Sequence, residues 1–504
     1  MSALLHPLRR LAALQPGAPV LGAGERLLSA ASCIESIGRI ARTLGGDAGS
    51  TCVASRLDNG VDAVLLDLAT RDAGVVHAAL PPYFSPAQVA HALERCTPAW
   101  LALPAGERPS TQWVPHELPD LPTLTLWRRP TPDAPQWPGG TACITFTSGS
   151  TGQPRGVCLA ETQLAAVAGS LAEAFSGLDP RRHMCALPVS TLLEAVGVYA
   201  ALGNGAEIRA PALAELGYSG ASGLQPARLY AALAHHRPHS VILVPQLLEG
   251  LLDAIDRLGP LPFEARVVAV GGAKVGARLL ARAAAAGLPV FEGYGLTEAG
   301  SVVALNRPGA SRPGTVGRPL PHVRVTVAGD GELWIDGSGH LGYLGEPPPP
   351  PGPWPTGDLG AVDADGFLHL DGRKRSVFVT AYGRNVSPEW IEAELESSPA
   401  IAQAVVTGEA RPWNLALVVP ANPDVCDAEL RVELQRINAG LPDYARIGAL
   451  LRVDAAFTAA NGCATGNGRV RRDRVLAAFA DRIAARQAMS PDLDPTPIPA
   501  EESA

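Results

Sequence analysis

An α/β fold in more than one domain is what this sequence predicts, and three observations carry it. Between residues 59 and 103, apolar stretches, Pro/Gly breaks and amphipathic runs alternate (VDAVLLDLATRDAG, VVHAALPPYFS, PAQVAHALERC, PAWLALP), the pattern of strands packed with helices. A chain of 504 residues with 47% hydrophobic content is larger than one core usually organises, so two domains are expected. The third observation is a stretch at 145–157, TFTSGSTGQPRGV, which gathers hydroxyls, glycines and one cation. It follows an apolar strand ending at Ala142, Cys143 and Ile144 and precedes an amphipathic helix from Gln163 onward, QLAAVAGSLAEAF.

From the N-terminus, MSALLHPLRRLAALQPG has arginines inside its apolar stretch, unlike the uninterrupted apolar region of a signal peptide. No later segment has the long uncharged apolar run of a membrane helix. A net charge of −8 without a long basic run argues against nucleic acid as the main partner and for a small molecule. The eight cysteines are scattered, with no C-x-x-C pair and no zinc-like histidine spacing, and read as reduced thiols of a cytoplasmic protein. His91, inside PAQVAHALERC, is most simply a packing or surface histidine.

The stretch at 145–157 reads as an anion site. Gly149, Gly152 and Gly156 permit positive φ and close approach of backbone N–H groups; Thr147, Ser148, Ser150 and Thr151 add hydroxyl donors, and Arg155 adds fixed charge. A Walker loop is excluded, because Pro154 stands where its second glycine belongs and no Lys-Ser/Thr pair follows. The stretch resembles the TSG-[ST]-TG-x-P-[KR]-G signature of the adenylate-forming superfamily: acyl-CoA synthetases, peptide-synthetase adenylation domains and luciferases.

Later motifs keep the order of that superfamily. Residues 186–206, ALPVSTLLEAVGVYAALGNGA, resemble a segment of fatty acyl-CoA synthetases, which places Ser190, Thr191 and Leu192 at the acid pocket; a buried helix with a glycine for close packing serves Glu194 and Tyr199 equally well. A strand and helix follow at 240–255, and then 267–273, VVAVGGA, a strand ending in Gly271, Gly272 and Ala273 that lets a flat ligand lie against the backbone. In 291–300, FEGYGLTEAG, Tyr294 beside Gly295 offers a ring to a planar base and Thr297 a donor to phosphate, while Glu298 offers a hard oxygen to Mg2+. The segment matches the superfamily motif [YF]-G-x-TE.

Residues 314–319 and 332–337 read as a short β module, and 347–355, PPPPPGPWP, as a stiff spacer. In TGDLG at 356–360 and GFLHLDGRKR at 366–375, the resemblance assigns Asp358 to the ribose hydroxyls, Arg373 to their support and Arg375 to an interdomain hinge. Beyond it, Ser387, Pro388 and Glu389 read as the N-cap, first-turn proline and first-turn acid of a helix, and Gly383 and Asn385 are expected at the thiol entrance. Residues 457–472, FTAANGCATGNGRVRR, resemble the segment in which the family carries its adenylation lysine, but Arg469 occupies that place. The chain has two lysines, Lys274 and Lys374, neither at the family's position.

The resemblance implies a large N-terminal domain of stacked mixed β-sheets with flanking helices and a small β module at 1–374. It also implies a small mobile α+β domain at 375–489, followed by a disordered tail at 490–504. The implied chemistry is activation of a carboxylic acid by ATP and Mg2+ as an acyl-adenylate, with transfer to the thiol of CoA or of phosphopantetheine on a separate acyl carrier protein. The 186–206 segment favours a fatty or other acyl acid. Two other readings stay open: a catalytically weakened nucleotide- or acyl-binding paralogue, which the missing lysine favours, and an adenylating oxygenase of luciferase type.

Overall fold

The structure is a computed structural model that describes residues 2–45, 51–109, 113–130, 137–148, 154–219, 223–273, 275–374, 376–379, 385–441, 445–465 and 468–493. The chain forms two compact units. The first comprises Met1–Ala273, Ala283–Thr326 and Ile335–Trp354; the second comprises Lys274–Arg282, Val327–Trp334 and Pro355–Ala504. The division thus falls at Trp354/Pro355, inside the proline-rich stretch, ahead of the 374/375 boundary that the motifs suggest.

The first unit is built on two large mixed sheets. One has nine strands, in the order Arg318–Pro319, Ala304–Leu305, Val290–Tyr294, Val267–Val270, Ser240–Leu243, Arg182–Met184, Glu207–Arg209, Pro19–Ala23 and Arg26–Ser29. Its centre is parallel and its edges antiparallel. The other has eight strands, in the order Gly342–Tyr343, Pro154–Ala160, Thr141–Ser148, Val76–Ala79, Cys52–Ser55, Trp100–Pro104, Leu124–Arg128 and Val114–His116. Crossover helices fill the spaces that parallel pairing requires. Helices Ala30–Leu44, Val61–Ala73, Glu161–Phe175 and Leu192–Gly203 bury Ile37, Leu65, Val167 and Val196 in one apolar cluster with Val20 and Ile208 of the first sheet and Val53, Val157 and Leu159 of the second. Each such side chain contributes about 1.5–3 kcal/mol of hydrophobic stabilisation.

Gly197 shows how closely the helix Leu192–Gly203 packs, since a Cβ there would lie 2.3 Å from Ile242 Cδ1. The same helix explains its two unusual polar residues. Glu194 is fully buried, receives the Leu187 N–H at 2.8 Å and lies 2.9 Å from His183 Nε2. Tyr199 donates to Asp67, a carboxyl that Arg71 and His77 also hold.

The second unit contains an antiparallel pairing of residues 358–362 with Leu368–Arg373, and a three-stranded sheet of Ile401–Thr407, Asn414–Pro420 and Ile447–Arg452. Asn414–Pro420 is buried along its whole length, as its run NLALVVP suggests. Ala416 and Val418 face one apolar cluster with helices Pro388–Glu396 and Asp427–Asn438, while Leu415 and Leu417 face a second with Phe457 and Val475. Ser387 does precede the helix Pro388–Glu396, but its hydroxyl makes no capping hydrogen bond. Glu389 instead accepts the Arg373 N–H and the Ser376 hydroxyl, each at 2.9 Å. The expected tail starts too early: Leu493 is 1% exposed in the Ala416 cluster, and Asp492 pairs with Arg431 and Arg486. Residues 494–504 lie outside the described residues.

Candidate active site

The expected strand through Ile144 and the expected helix, Glu161–Phe175, are both present, but a second strand stands between them where only loop was expected. Strand Thr141–Ser148 continues beyond Ile144 and pairs with a second strand, Pro154–Ala160, in which Thr147 stands opposite Arg155. The second strand forms because Val157, Cys158 and Leu159 are buried in the sheet while Arg155 points outward. Gly156 is needed for closeness: a Cβ there would come within 3.1–3.2 Å of Ile144, Leu344 and Phe146. Thr147 Oγ1 donates back across the hairpin to Arg155 O at 3.4 Å. Gly149, Ser150, Thr151 and Gly152, with the side chain of Ser148, lie outside the described residues.

Arg155 is held on two sides. Its guanidinium lies 3.7 Å from the centroid of the Tyr343 ring, and its Nη2 donates to both carboxylate oxygens of Glu346 at 2.8 and 2.9 Å. Tyr343 arrives there through sheet register, since Gly342–Tyr343 adds to the edge of Pro154–Ala160 with Tyr343 opposite Val157. The Tyr343 hydroxyl then donates to Glu298 Oε1 at 2.8 Å. Burial, reinforced by the Glu298 charge, pushes that hydroxyl above its ordinary pKa, so it remains a donor at neutral pH. Burial also holds His340, whose ring centroid lies 4.8 Å from that of Tyr343, below its ordinary value.

Glu298 sits in a single 3-10 turn, Thr297–Ala299, whose backbone is tied down. Gln163 Nε2 donates to Glu298 O at 3.0 Å, and Ser338 Oγ donates to Ala299 O at 2.9 Å. Gly295 closes the approach, because a Cβ there would lie 1.6 Å from Ser301 O. Ser301 has φ 102, an uncommon conformation for a residue with a side chain, and it follows Gly300 at φ 78. Next to this turn, Tyr294 ends its strand and is 8% exposed. Parallel pairing of Val267–Val270 with Val290–Tyr294, in which Val270 stands opposite Glu292, carries Gly271, Gly272 and Ala273 alongside residues 293–295 at the carboxyl ends of the strands. That edge is where open α/β sheets bind ligands. The positive φ of Gly272, 84, accommodates the sharp exit from the strand.

A cavity of about 280 Å3 opens beside the hairpin, lined by His91, Arg95, Phe146, Arg155, Tyr343 and Glu346 among others. His91, expected to be a packing or surface histidine, lies with Nε2 3.2 Å from Pro154 O, and Arg95 donates to Leu344 O at 2.6 Å. His91, Arg95, Tyr343 and Glu346 line this cavity although no sequence motif singled them out. The GY pair after ELWIDG was the one local signal. Its significance depends on a strand pairing that no local pattern reveals.

The loop expected at the acid pocket is firmly anchored. Asn59 accepts the Val189 N–H at 2.8 Å and donates to Leu187 O at 2.9 Å, while the Tyr218 hydroxyl donates to Ala186 O at 2.9 Å. Thr191 Oγ1 donates to Pro188 O at 2.7 Å, the buried Ser190 hydroxyl has no hydrogen-bond partner among the described residues, and Leu192 is buried at the start of its helix.

In the second unit, Asp358 and Arg373 stand directly opposite on paired strands and form an ion pair, Nε to Oδ1, of 2.6 Å. Lys374 is taken up by Asp330 at 2.6 Å and Glu332 at 2.8 Å. Arg469 is exposed on a tight turn, in which Thr465 N donates to Arg469 O at 2.7 Å and Arg469 N donates to Thr465 Oγ1 at 3.1 Å. Among the described residues its guanidinium has no ion-pair partner. Lys274, Arg375 and Gly383, and the side chain of Asn385, lie outside the described residues.

The first unit thus carries a strand pair around a glycine-rich segment beside a fixed T-E turn, and the second, taken by itself, a GD/GR strand pair; each is suited to handling part of a nucleotide. The chain belongs to the AMP-binding enzyme family, which it matches over residues 8–344; residues 375–488 match the AMP-binding enzyme C-terminal domain. Long-chain-fatty-acid–CoA ligase FadD15 of Mycobacterium bovis is 38% identical over 218 residues, covering 42% of this chain and 36% of that protein. That match spans about a third of the relative's length. Indoleacetate–CoA ligase of Aromatoleum aromaticum is 28% identical over 83% of this chain and 88% of its own. The solved structure of O-succinylbenzoate coenzyme A synthetase (MenE) from Bacillus subtilis, in complex with ATP and magnesium ion, has a similar fold, with a TM-score of 0.73 at 20% identity over 93% of this chain and 98% of that one. Among the described residues, no helix is long and apolar enough to cross a membrane.

Proposed function

We propose that this chain is an AMP-forming acid–thiol ligase that activates a carboxylic acid with ATP and passes the acyl group to the thiol of CoA. The observation that supports this reading is that Arg155 and Glu298, the proposed phosphate-binding cation and the proposed metal ligand, both contact Tyr343. In the first half-reaction a substrate carboxylate oxygen bonds to the α-phosphorus of ATP and the bond to pyrophosphate breaks. In the second, the thiol sulfur bonds to the acyl carbon, AMP leaves with the carboxylate oxygen, and the thiol proton passes to solvent.

The chain's own contribution is charge placement and orientation. Glu298 suits Mg2+: it is a half-buried carboxylate with a fixed backbone, and only Oε1 is engaged by Tyr343. Mg2+ bound there would neutralise charge on the phosphate oxygens. Arg155 would exchange Glu346 for phosphate, with Thr147 and Thr297 as hydroxyl donors. Gly271, Gly272 and Ala273 would present backbone to the base. Separately, Asp358, oriented by Arg373, would accept the ribose hydroxyls, and Arg469 would serve the α-phosphate and substrate carboxylate in place of the family's lysine. Arg375 remains the proposed hinge, with Gly383 and Asn385 at the thiol entrance and residues 375–489 as the domain that moves.

For the acid we propose a fatty or other apolar acyl group. The likeness at 186–206 supports this, as do two relatives named for a long-chain fatty acid and for indoleacetate. A separate carrier protein is the alternative acceptor, and the cytoplasm is the proposed compartment. The test is ATP–pyrophosphate exchange with a panel of fatty and aryl acids, followed by mass spectrometry of CoA products. Acid-dependent exchange and an acyl-CoA are expected. A second reading, a binding paralogue, is favoured by Arg469 in the lysine's place; it becomes the better one if no acid supports exchange.

A further inference from the structure

We infer that Tyr343 is a positioning residue that aims the Glu298 carboxylate at the metal of Mg·ATP while its ring holds the hairpin cation Arg155. This inference rests on the reading of Glu298 as a magnesium ligand. The geometry is specific: the hydroxyl lies 2.8 Å from Glu298 Oε1, and the ring centroid lies 3.7 Å from the Arg155 guanidinium. Neither contact arises from neighbouring sequence. Tyr343 and Glu298 are 45 residues apart, and Tyr343 is placed by an edge strand that pairs with the Arg155 strand itself.

Two consequences distinguish this arrangement from ordinary packing. First, a carboxylate with one oxygen fixed has lost most of its rotational freedom before a cation arrives, so Oε2 is presented in one direction and little ordering remains for the binding step. Second, a protonated hydroxyl beside the carboxylate stabilises its charge without competing for the metal, which an arginine or lysine at that place would do. Arg155 lies over the face of the ring, and among the described residues its ion pair is with Glu346 and not with Glu298. The attraction of cation to ring is electrostatic and is strongest where water is excluded.

The test is calorimetric titration of the full chain with ATP, without acid, in EDTA and at saturating Mg2+. The readout is the gain in ATP affinity that Mg2+ confers, compared among wild type, Tyr343→Phe and Glu298→Gln. Tyr343→Phe keeps the ring and removes only the hydroxyl. We expect its Mg2+-dependent gain to fall roughly tenfold, the order of one hydrogen bond to a charged group. Its metal-free ATP affinity should stay within about twofold of wild type and its Tm should be unchanged, while Glu298→Gln loses the gain altogether. If Tyr343→Phe keeps the wild-type gain while Glu298→Gln loses it, the role of Tyr343 is overturned and that of Glu298 stands. If Tyr343→Phe weakens metal-free and Mg2+-dependent binding equally, Tyr343 only shapes the pocket and the inference is overturned. If Glu298→Gln keeps the full gain, or wild type shows none, the metal role falls and takes the inference with it.

Discussion

Arg155 stands where the superfamily signature has Lys or Arg, and Arg469 stands where the resemblance places the adenylation lysine; the structure treats the two in opposite ways. Arg155 projects from a paired strand and is engaged by the Tyr343 ring and the Glu346 carboxylate. Arg469 projects from a turn closed by Thr465, its side chain exposed. For Arg155, folding has already fixed the position of the charge, and that is the preorganised form of electrostatic stabilisation. For Arg469, folding fixes only the backbone, so the ordering of a flexible side chain, which costs up to about 2 kcal/mol, is left to ligand binding. A prearranged group affects every state in which the nucleotide is bound. A recruited group affects only the step that recruits it.

The difference can be probed by substitution, beginning at the prearranged site. Glu298→Gln should lower pyrophosphate exchange by about 100- to 1000-fold, the scale of losing one preorganised charge contact, while Tm stays near wild type because the side chain is not in the core. Near wild-type exchange would remove Glu298 from the metal site. Gly156→Ala should cost about 1–3 kcal/mol by overpacking Ile144, Leu344 and Phe146, which chemical denaturation measures directly. An unchanged midpoint would show that hairpin and edge strand yield more easily than their spacing suggests. The smallest effect is expected from Glu346→Gln. An exposed ion pair contributes about 0.2–1 kcal/mol, so releasing Arg155 should tighten ATP binding by no more than about fivefold, and less at high salt. Weaker ATP binding in this variant would mean that Glu346 supports Arg155 and does not compete with the phosphates.

Much of this was legible in the sequence, for reasons that also mark the limits. The α/β alternation between residues 59 and 103 identifies elements because burial acts on local patterns. The order of the TSGSTG, VGGA, YGLTE and TGD segments identified the family because phosphate and ribose chemistry restricts residue choice at each. The hairpin was not legible: hydroxyls and glycines concealed the strand that begins at Pro154, and tertiary pairing overrode their turn preference. Tyr343 escaped notice because its partners come from sheet register and not from neighbouring residues. Lys374 seemed a spare cation, but Asp330 and Glu332 occupy it. The polar composition after Met489 suggested a tail, yet Leu493 and Asp492 are enough to anchor the chain as far as residue 493.

The most direct test of the account is to separate the two half-reactions in Arg469→Ala. A recruited arginine that serves only adenylation should be dispensable once the adenylate is made. With an acid that supports exchange in wild type, Arg469→Ala should lose acyl-adenylate formation by about three orders of magnitude. It should still convert a supplied acyl-adenylate and CoA to the thioester at close to the wild-type rate, and Arg469→Lys should retain or raise adenylation. Wild-type adenylation by Arg469→Ala, or equal loss of both half-reactions, would contradict the account.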